Sequence, residues 1–174
     1  MKHKHFYDKI TGWFDFEAIY DMAVSEAQDG DTFIETGTAN GKSVVYLAVE
    51  ALNSGKDITI VTIDNTQTPS QVDYVLKQTA GLDNVKYINK DSMVVVNSIA
   101  NESCRMVFLD ADHEYDFVSR ELEAWYPKVI SGGIFAGHDY DNGYPGVPDA
   151  VHEFVFKHNL EFELIGSSWL IRKP

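Results

Sequence analysis

The sequence has 174 residues, of which 44% are hydrophobic and 24% charged, and this composition is typical of one globular domain with an apolar core. Its 27 acidic and 14 basic residues give a formal net charge of -13, which argues against general attraction to nucleic acid or anionic membranes. The expected ligands are therefore small molecules, and a cationic group would be favoured.

The start of the sequence, MKHKHFYDKI, lacks the apolar core of a signal peptide. No apolar run approaches the roughly 18 residues that a membrane-spanning helix needs. We therefore expect a cytoplasmic protein that does not bind membranes. The single cysteine, Cys104, lies just before the apolar run MVFLD, and we expect it to be a reduced thiol in the core.

Short apolar runs typical of strands alternate with helical patterns along the sequence. The pattern predicts an amphipathic helix in FDFEAIYDMAVSEAQ and five strand and helix pairs after it. The predicted strands are DTFIE, ITIVTID, NVKYINK, CRMVFLD and GGIFAGHD, and the predicted helices are SVVYLAVEAL, SQVDYVLKQTA, SMVVVNSIA, FVSRELEAWYPKVI and VPDAVHEFVFKH. Strands connected by such helices pair in parallel through right-handed crossovers, which predicts an α/β fold with a doubly wound sheet.

The segment EFELIGSSWLIRK breaks this alternation. It contains two short strand-like runs around a Gly-Ser-Ser turn and leaves no room for a helix. This pattern predicts an antiparallel hairpin at one edge of an otherwise mostly parallel sheet.

Acidic residues follow strand after strand in this reading, where open α/β sheets bind their ligands. Each acid could by itself be a helix N-cap, but their shared position favours a functional site. The strand ends are Glu35, Asp64, Lys90 with Asp91, Asp110, and His138 with Asp139.

The turn after the first strand reads GTANG and follows Glu35. Its glycines could serve only a sharp turn, or they could let a nucleotide or nucleoside approach a helix N-terminus. The spacing matches neither the dinucleotide fingerprint nor the P-loop, which argues against pyrophosphate binding and against a nicotinamide enzyme. Glu35 would repel phosphate and accept hydrogen bonds from a cationic or hydroxylated ligand.

Five motifs, ETGTANGKS, TID, KDS, VFLDADHEYD and GGIFAGHDYDNGYPGV, occur in this order. With them the chain from about Asp31 onward resembles the class I S-adenosylmethionine-dependent methyltransferases, and in detail the small Methyltransf_24 family. The resemblance implies a Rossmann-like seven-stranded sheet in which the seventh strand is antiparallel and lies next to the fifth. It also implies a single methyltransferase domain (EC 2.1.1.-) over residues 1–174 that uses S-adenosylmethionine.

The resemblance implies a set of cofactor-binding residues. Asp64 would accept hydrogen bonds from both ribose hydroxyls, because a carboxylate accepts two charge-assisted bonds. Asp91 and Ser92 would flank the adenine, although Asp91 could equally be only a helix N-cap. The residues expected around the methionine moiety are Glu35, Gly37, Thr38, Ala39, Asn40 and Gly41, and Ser43 and Asp110 are also expected to contact the cofactor.

A second group of polar residues follows the fourth and fifth strands and has the ingredients of a divalent metal site. Metal-dependent sugar and catechol O-methyltransferases of similar sequence bind magnesium here, which implies Asp110, His138 and Asp139 as ligands. His138 departs from the acid that is common at its position, and this leaves a softer metal or no metal open. The loops supply Asp110, Asp112, His113 and Asp116, and then His138, Asp139, Asp141 and Asn142.

His113 follows Asp110 by three residues, the spacing at which similar sugar O-methyltransferases carry a histidine proposed as general base. The resemblance therefore implies His113 and Asp110 as catalytic residues, with His113 taking the proton of an acceptor hydroxyl. The alternative is that His113 only braces its loop.

The acceptor is expected to be a small hydroxylated molecule such as a sugar or a natural product, with residues 1–30 forming an N-terminal helical segment that contributes to its pocket. N-methylation remains open, as does a homodimer that closes the pocket. The alternative function is a cofactor-binding protein, or a hydroxylase-like family member, without methyl transfer. The residues expected to contact the acceptor are Trp13, Phe14, Phe16, Tyr140, Tyr144 and Pro145.

Overall fold

The computed structural model describes residues 2–65, 68–141 and 143–174. The predicted strands all form. They are β1 (Thr32–Thr36), β2 (Thr59–Ile63), β3 (Val85–Ile88), β4 (Cys104–Leu109), β5 (Val129–Gly137), β6 (Glu163–Ile165) and β7 (Ser168–Arg172). They build one seven-stranded sheet in the order β3-β2-β1-β4-β5-β7-β6. From β1 the strand order continues to β2 and β3 on one side, and from β4 it continues to β5 on the other. The carboxyl ends of β1 and β4 therefore lie beside a crevice at this switch point.

The described residues form six α-helices, one before the first strand and five between strands. They are α1 (Glu17–Glu26), α2 (Lys42–Ser54), α3 (Pro69–Thr79), α4 (Ser92–Val95), α5 (Tyr115–Trp125) and α6 (Gly146–His158). The helix predicted in FVSRELEAWYPKVI is shorter than expected, because Pro127 lies in a 3-10 turn that follows Trp125, and Val129 already belongs to β5. The helix predicted in SMVVVNSIA is a single α-turn followed by a 3-10 turn.

Side chains of successive strand residues enter opposite layers of the core, as the pleat requires. Phe33 of β1 joins the layer formed with α1 and α2, and Ile34 joins the layer formed with α5 and α6. Both faces of the sheet are therefore covered, which explains the continuous apolar runs of the strands. Cys104 begins β4 and is buried, which confirms the expected core thiol.

The C-terminal hairpin confirms the prediction from the last residues. β7 pairs antiparallel with β5, for example Phe135 with Ile171, and β6 pairs antiparallel with β7. The last strand along the sequence thus lies inside the sheet, and β6 lies at the edge.

The N-terminal segment is less helical than predicted. Helix α1 begins at Glu17, and the described residues before it contain one 3-10 turn, Tyr7–Lys9. Phe16 is only 2% exposed and packs in the core, which leaves the residues before α1 lying across the sheet end. Within the described ranges, no helix combines the length and apolar character needed to cross a membrane.

Candidate functional site

A cavity of about 780 Å³ opens at the carboxyl ends of β1, β2, β4 and β5. It brings together residues from both predicted sites. From the cofactor set it is lined by Gly37, Ala39, Asp64, Ser92 and Asp110. From the second set it is lined by His113, His138, Asp139 and Asp141, and the N-terminal segment adds Trp13 and Asp15.

Gly37 is required where the first strand leaves the sheet. Its φ is +89°, and a Cβ atom added there would lie 1.9 Å from the carbonyl oxygen of Asp110. The chain is still paired on both sides here, since the N–H of Gly37 donates to the Ile63 carbonyl oxygen at 2.8 Å and the N–H of Asp110 donates to the Thr36 carbonyl oxygen at 2.9 Å. Gly41, with φ of +84°, then starts α2 in the left-handed region. Gly37 and Ala39 of this loop line the cavity.

Asp64 holds this loop from the neighbouring strand end. Its Oδ2 atom accepts the backbone N–H groups of Thr38 and Ala39 at 3.0 and 2.9 Å. The Thr38 hydroxyl lies 2.6 Å from that of Thr62 and is buried. Asp64 is therefore both a wall of the cavity and the anchor of the glycine loop.

Glu35 does not line the cavity, although it was expected to contact the methionine moiety. It is 1% exposed and accepts hydrogen bonds from Tyr20 and Thr62, each at 2.6 Å. Burial raises the pKa of Glu35 to about 7, while hydrogen bonds from Ser43, Thr62 and Tyr20 oppose that rise. Glu35 and Ser43 thus support the loop from below, and neither contacts the cavity.

Four further members of the predicted cofactor set are not among the residues that line the cavity, and their contact with the cofactor stays a prediction: Thr38, Asn40, Gly41 and Asp91. The Asn40 amide donates to the carbonyl and hydroxyl oxygens of Thr11 at 3.0 and 3.2 Å. Asp91 accepts the N–H of Met93 at 2.7 Å, so it is the N-cap of α4. Asn40 therefore connects the loop to the N-terminal segment, and the N-cap interpretation of Asp91 describes its contacts.

Ser92 lines the cavity and donates to Glu121 at 2.6 Å. Sequence analysis missed Glu121, which is 1% exposed on α5. Burial raises its pKa to about 7. Helix periodicity places Glu121 on the apolar face of α5 but does not indicate that Ser92 is its partner. Only the contact in the folded structure shows that Glu121 belongs to the site.

Asp139 organises the other half of the cavity. Its two oxygens contact His113 Nε2 at 2.7 Å and His138 Nδ1 at 3.1 Å. Burial alone would raise the pKa of Asp139, but these two histidines lower it. The residue has a φ of 57°, which turns the chain directly after β5. Asp139 is therefore a carboxylate held between two imidazoles.

His138, which was predicted as a metal ligand, makes contacts through both of its ring nitrogens. Its Nε2 atom contacts Asp15 at 2.8 Å and Ser167 at 3.0 Å, and its side chain is 5% exposed. Burial alone would lower its pKa, but hydrogen bonds and charges of Asp110 and Asp139 raise it to about 10. Its Nδ1 atom lies 3.6 Å from Asp110 Oδ1 and 3.1 Å from Asp139 Oδ1, so its role as a metal ligand stays a prediction.

The group that could hold a metal ion is Asp110, His113 and Asp139, whose ligand atoms all lie within 4.8 Å of one another. Two carboxylates and one imidazole suit a divalent cation. Burial raises the pKa of Asp110 to about 6, although His138 opposes this. Asn142, from the same predicted loop, lies outside the described residues.

His113 is oriented by Asp139, and this hydrogen bond raises its pKa. Because Nε2 is engaged, Nδ1 is the ring nitrogen left for proton transfer. The side chain is 34% exposed, and its ring centroid lies 4.3 Å from that of Tyr144. This pair of a carboxylate and an imidazole is the arrangement of an oriented general base.

Only part of the predicted acceptor set reaches the cavity. Trp13 lines the cavity and is 78% exposed, and Tyr144 lines it from the loop before α6. Phe14 and Phe16 belong to an aromatic cluster in the core, with ring centroids 4.8 Å apart. Tyr140 also packs elsewhere, against His152 and Phe162, and Pro145 is the N-cap of α6.

The cavity is acidic. Among its described lining residues there is no lysine or arginine. Asp15 and Ser167 were not recognised from the sequence, because they come from opposite ends of the chain and only the fold brings them together beside His138. The aspartates that line the cavity are Asp15, Asp64, Asp110, Asp139 and Asp141.

Known proteins resemble this chain in both sequence and fold. Over 168 residues it is 25% identical to the protein R132 of Acanthamoeba polyphaga mimivirus, with 87% of this chain and 74% of that protein covered. A candidate caffeoyl-CoA O-methyltransferase of Staphylococcus aureus has a similar fold (TM-score 0.73, 15% identity, 95% of this chain and 87% of that chain). So does cofactor-bound Rv0187 from MTB (TM-score 0.70, 14% identity, 97% and 87%).

Residues 34–140 match the family model Methyltransf_24, which describes a methyltransferase domain. The match begins in β1, includes the glycine loop and the acids after β2 and β4, and ends just beyond Asp139. The structures above share the sheet that presents these residues. This chain belongs to the Methyltransf_24 family of class I S-adenosylmethionine-dependent methyltransferases.

Proposed function

We propose that this methyltransferase methylates a hydroxyl oxygen of a small molecule, with His113 as the general base. The observation that carries the proposal is the 2.7 Å contact between His113 Nε2 and Asp139 Oδ2 in the same cavity as Asp64 and the glycine loop. A base held by a carboxylate at the edge of the cofactor pocket suits an acceptor that must lose a proton.

The residues present fit S-adenosylmethionine. Gly37 and Ala39 of the glycine loop line the cavity, and Asp64 offers carboxylate oxygens at the end of β2. When bound, this cofactor supplies an electrophilic methyl group on a cationic sulfur, which an acidic cavity favours. The cofactor would therefore lie along the Gly37, Asp64 and Ser92 side of the cavity.

The chain's own contribution is alignment and removal of one proton. His113 Nδ1 accepts the proton of the acceptor hydroxyl, and the carboxylate of Asp139 stabilises the imidazolium that results. Asp110 lies between the two halves of the cavity, where its negative charge also favours a cationic centre. Trp13 and Tyr144 offer aromatic faces to the body of the acceptor.

The cavity's charge bears on the acceptor. Its described lining carries several aspartates and neither lysine nor arginine, so an anionic acceptor would lack a counter-charge. The proposed acceptor is therefore an uncharged or cationic hydroxylated molecule.

A divalent metal is the alternative to a free His113 base. Asp110, His113 and Asp139 would hold it, and the ion would supply positive charge that lowers the pKa of an acceptor hydroxyl. His113 bound to the ion would not also be the general base. Methyl transfer that survives chelator and does not rise with magnesium would remove the metal.

The test compares His113→Ala with His158→Ala, a matched variant at another histidine that pairs with a glutamate, Glu123. Both are titrated with S-adenosylmethionine and S-adenosylhomocysteine and assayed on a panel of hydroxylated acceptors. We expect His113→Ala to lower kcat by about 100-fold or more, the range of general-base catalysis, with cofactor affinity unchanged.

Full activity in His113→Ala would contradict the base. Cofactor binding without transfer to any acceptor would instead favour the cofactor-binding alternative. A homodimer and a cytoplasmic location remain predictions, and light scattering at micromolar concentration would test the first.

A further inference from the structure

An uninterrupted series of side-chain contacts runs from the N-terminal segment to the proposed base. Asp15 Oδ1 lies 2.8 Å from His138 Nε2. On the other side of that ring, Nδ1 lies 3.1 Å from Asp139 Oδ1. Asp139 Oδ2 then lies 2.7 Å from His113 Nε2. Each carboxylate in this series faces an imidazole, so the orientation of each ring depends on the acid beside it.

The position of Asp15 is set by the residues on either side of it. Phe16 is 2% exposed, and its ring stacks on Phe108 with centroids 4.5 Å apart and lies 4.9 Å from the His138 ring. Phe14 packs edge-on against Phe16 in the same cluster. With alternate residues buried, Trp13 and Asp15 line the cavity. The buried phenylalanines therefore hold Asp15 in place.

The other end of this segment is attached to the cofactor loop. The Asn40 amide donates to the Thr11 carbonyl at 3.0 Å, and Lys42 Nζ donates to the Gly12 carbonyl at 3.1 Å. Segment 11–16 thus contacts the glycine loop at one end and His138 at the other. Neither connection is needed to form the sheet.

We propose that Asp15 is a positioning residue for His113, acting through His138 and Asp139, and that segment 11–16 connects the cofactor loop to it. The inference rests on the proposed role of His113 as base. Asp15 fixes the His138 ring, whose Nδ1 fixes one oxygen of Asp139, and this leaves the other oxygen aimed at His113. Substitution of a residue that orients a functional side chain commonly lowers activity by about 10-fold to 100-fold.

The test uses Asp15→Ala, Asp15→Asn and the control Asp8→Ala, an exposed acid in the preceding turn. Protein labelled with 15N at histidine and saturated with S-adenosylhomocysteine is examined by NMR of the imidazole nitrogens. We expect Asp15→Ala to shift the signals of both His138 and His113. Asp15→Asn should restore the His113 signals, because its amide oxygen still accepts from His138, and Asp8→Ala should match the wild type.

A local role would give a different result. If Asp15→Ala shifted only the His138 signals, or if Asp15→Asn failed to restore those of His113, the inference would be wrong. Thermal unfolding verifies that each variant is folded, and Asp15→Ser replaces Asp15→Ala if that variant is not. The NMR result does not depend on the acceptor.

Kinetics on an acceptor from the panel separate this inference from the proposed function. We expect Asp15→Ala to lower kcat by about 10-fold while the KM for S-adenosylmethionine changes little. Unchanged kcat in Asp15→Ala, beside an inactive His113→Ala, would overturn the inference and leave the base intact. An active His113→Ala would overturn the base itself.

Discussion

The two halves of the cavity fix their carboxylates by different means. In the cofactor half, Asp64 is held by backbone N–H groups and Glu35 by hydroxyl groups. In the acceptor half, Asp139 is held by the imidazoles of His113 and His138. Uncharged partners and backbone geometry hold the first half together, whereas opposite charges hold the second.

This difference determines which substitutions should disrupt each half of the cavity. Backbone and volume changes should disrupt the cofactor half, because its loop passes against β4 without spare room. Changes of charge should disrupt the acceptor half, because its geometry depends on pairs whose strength varies with protonation and salt.

The largest effect is expected for Gly37→Ala in the cofactor half. A Cβ atom there would meet the Asp110 carbonyl at 1.9 Å, so β1 and β4 would have to separate. We expect a loss of about 3 kcal/mol or more in the free energy of unfolding, measured with urea, and loss of cofactor binding. Gly30→Ala is the control, since its φ of +90° is similar but nothing lies within 4 Å. A loss there above about 1–2 kcal/mol would show that φ alone sets the cost.

Asp64→Ala should weaken S-adenosylmethionine binding by about 10-fold to 100-fold, because it removes the anchor of the glycine loop and the predicted ribose ligand. Calorimetric titration measures the change. Asp73→Ala removes the same charge from the exposed face of α3 and should bind the cofactor as the wild type does. Equal weakening in both variants would mean that net charge, and not this contact, sets the affinity.

Glu35→Gln should change how stability depends on pH. Burial raises the folded-state pKa of Glu35 to about 7 from the usual 4.5, so the folded protein binds more protons between these values. Stability contributed at this site therefore falls as the pH rises from about 4.5 to about 7. Between pH 5 and pH 8, the free energy of unfolding of Glu35→Gln should fall by about 1–3 kcal/mol less than that of the wild type, measured by urea unfolding.

The control for this pH effect is Glu26→Gln. Its hydrogen bond with Arg172 lowers the pKa of Glu26, so its contribution is lost only as the pH falls below about 4.5. Its unfolding curves should therefore parallel those of the wild type between pH 5 and pH 8. A Glu35→Gln variant that kept the full pH dependence would place the raised pKa elsewhere.

The smallest effect concerns acceptor charge. With S-adenosylhomocysteine bound, glucosamine should bind about fivefold more tightly than glucuronate, with glucose between them, because aspartates line the acceptor half. The difference should shrink at high salt. Asp141→Asn should reduce it and Asp112→Asn should not, since only Asp141 lines the main cavity. Tighter binding of glucuronate would contradict the charge argument.

The sequence predicted the elements and the cofactor loop well, because both depend on local patterns. Short apolar runs ending in acids indicated the strands and the edge at which Asp64 and Asp110 meet. The exclusion of the pyrophosphate motifs at Gly37 and Gly41 used spacing alone. The order of the sheet followed from the resemblance and agrees with the observed one.

The orientation of the site residues could not be predicted in the same way. Glu35 and Asp64 both follow the strand pattern, yet one is buried beneath the loop and the other lines the cavity. His138 contacts Asp15, which is 123 residues away from it in sequence. Local sequence patterns do not indicate a contact between residues this far apart in the sequence.

The placement of β7 has a consequence for biosynthesis. β6 is made before β7 but pairs in the sheet only through it, since β7 lies between β5 and β6. The turn between these strands also carries Ser167 to His138. Domains form as the chain emerges from the ribosome, so the cofactor loop can assemble while translation continues. The acceptor half must wait for the hairpin, and a nascent chain that stalls before residue 168 would leave an unpaired edge on β5 that chaperones could bind.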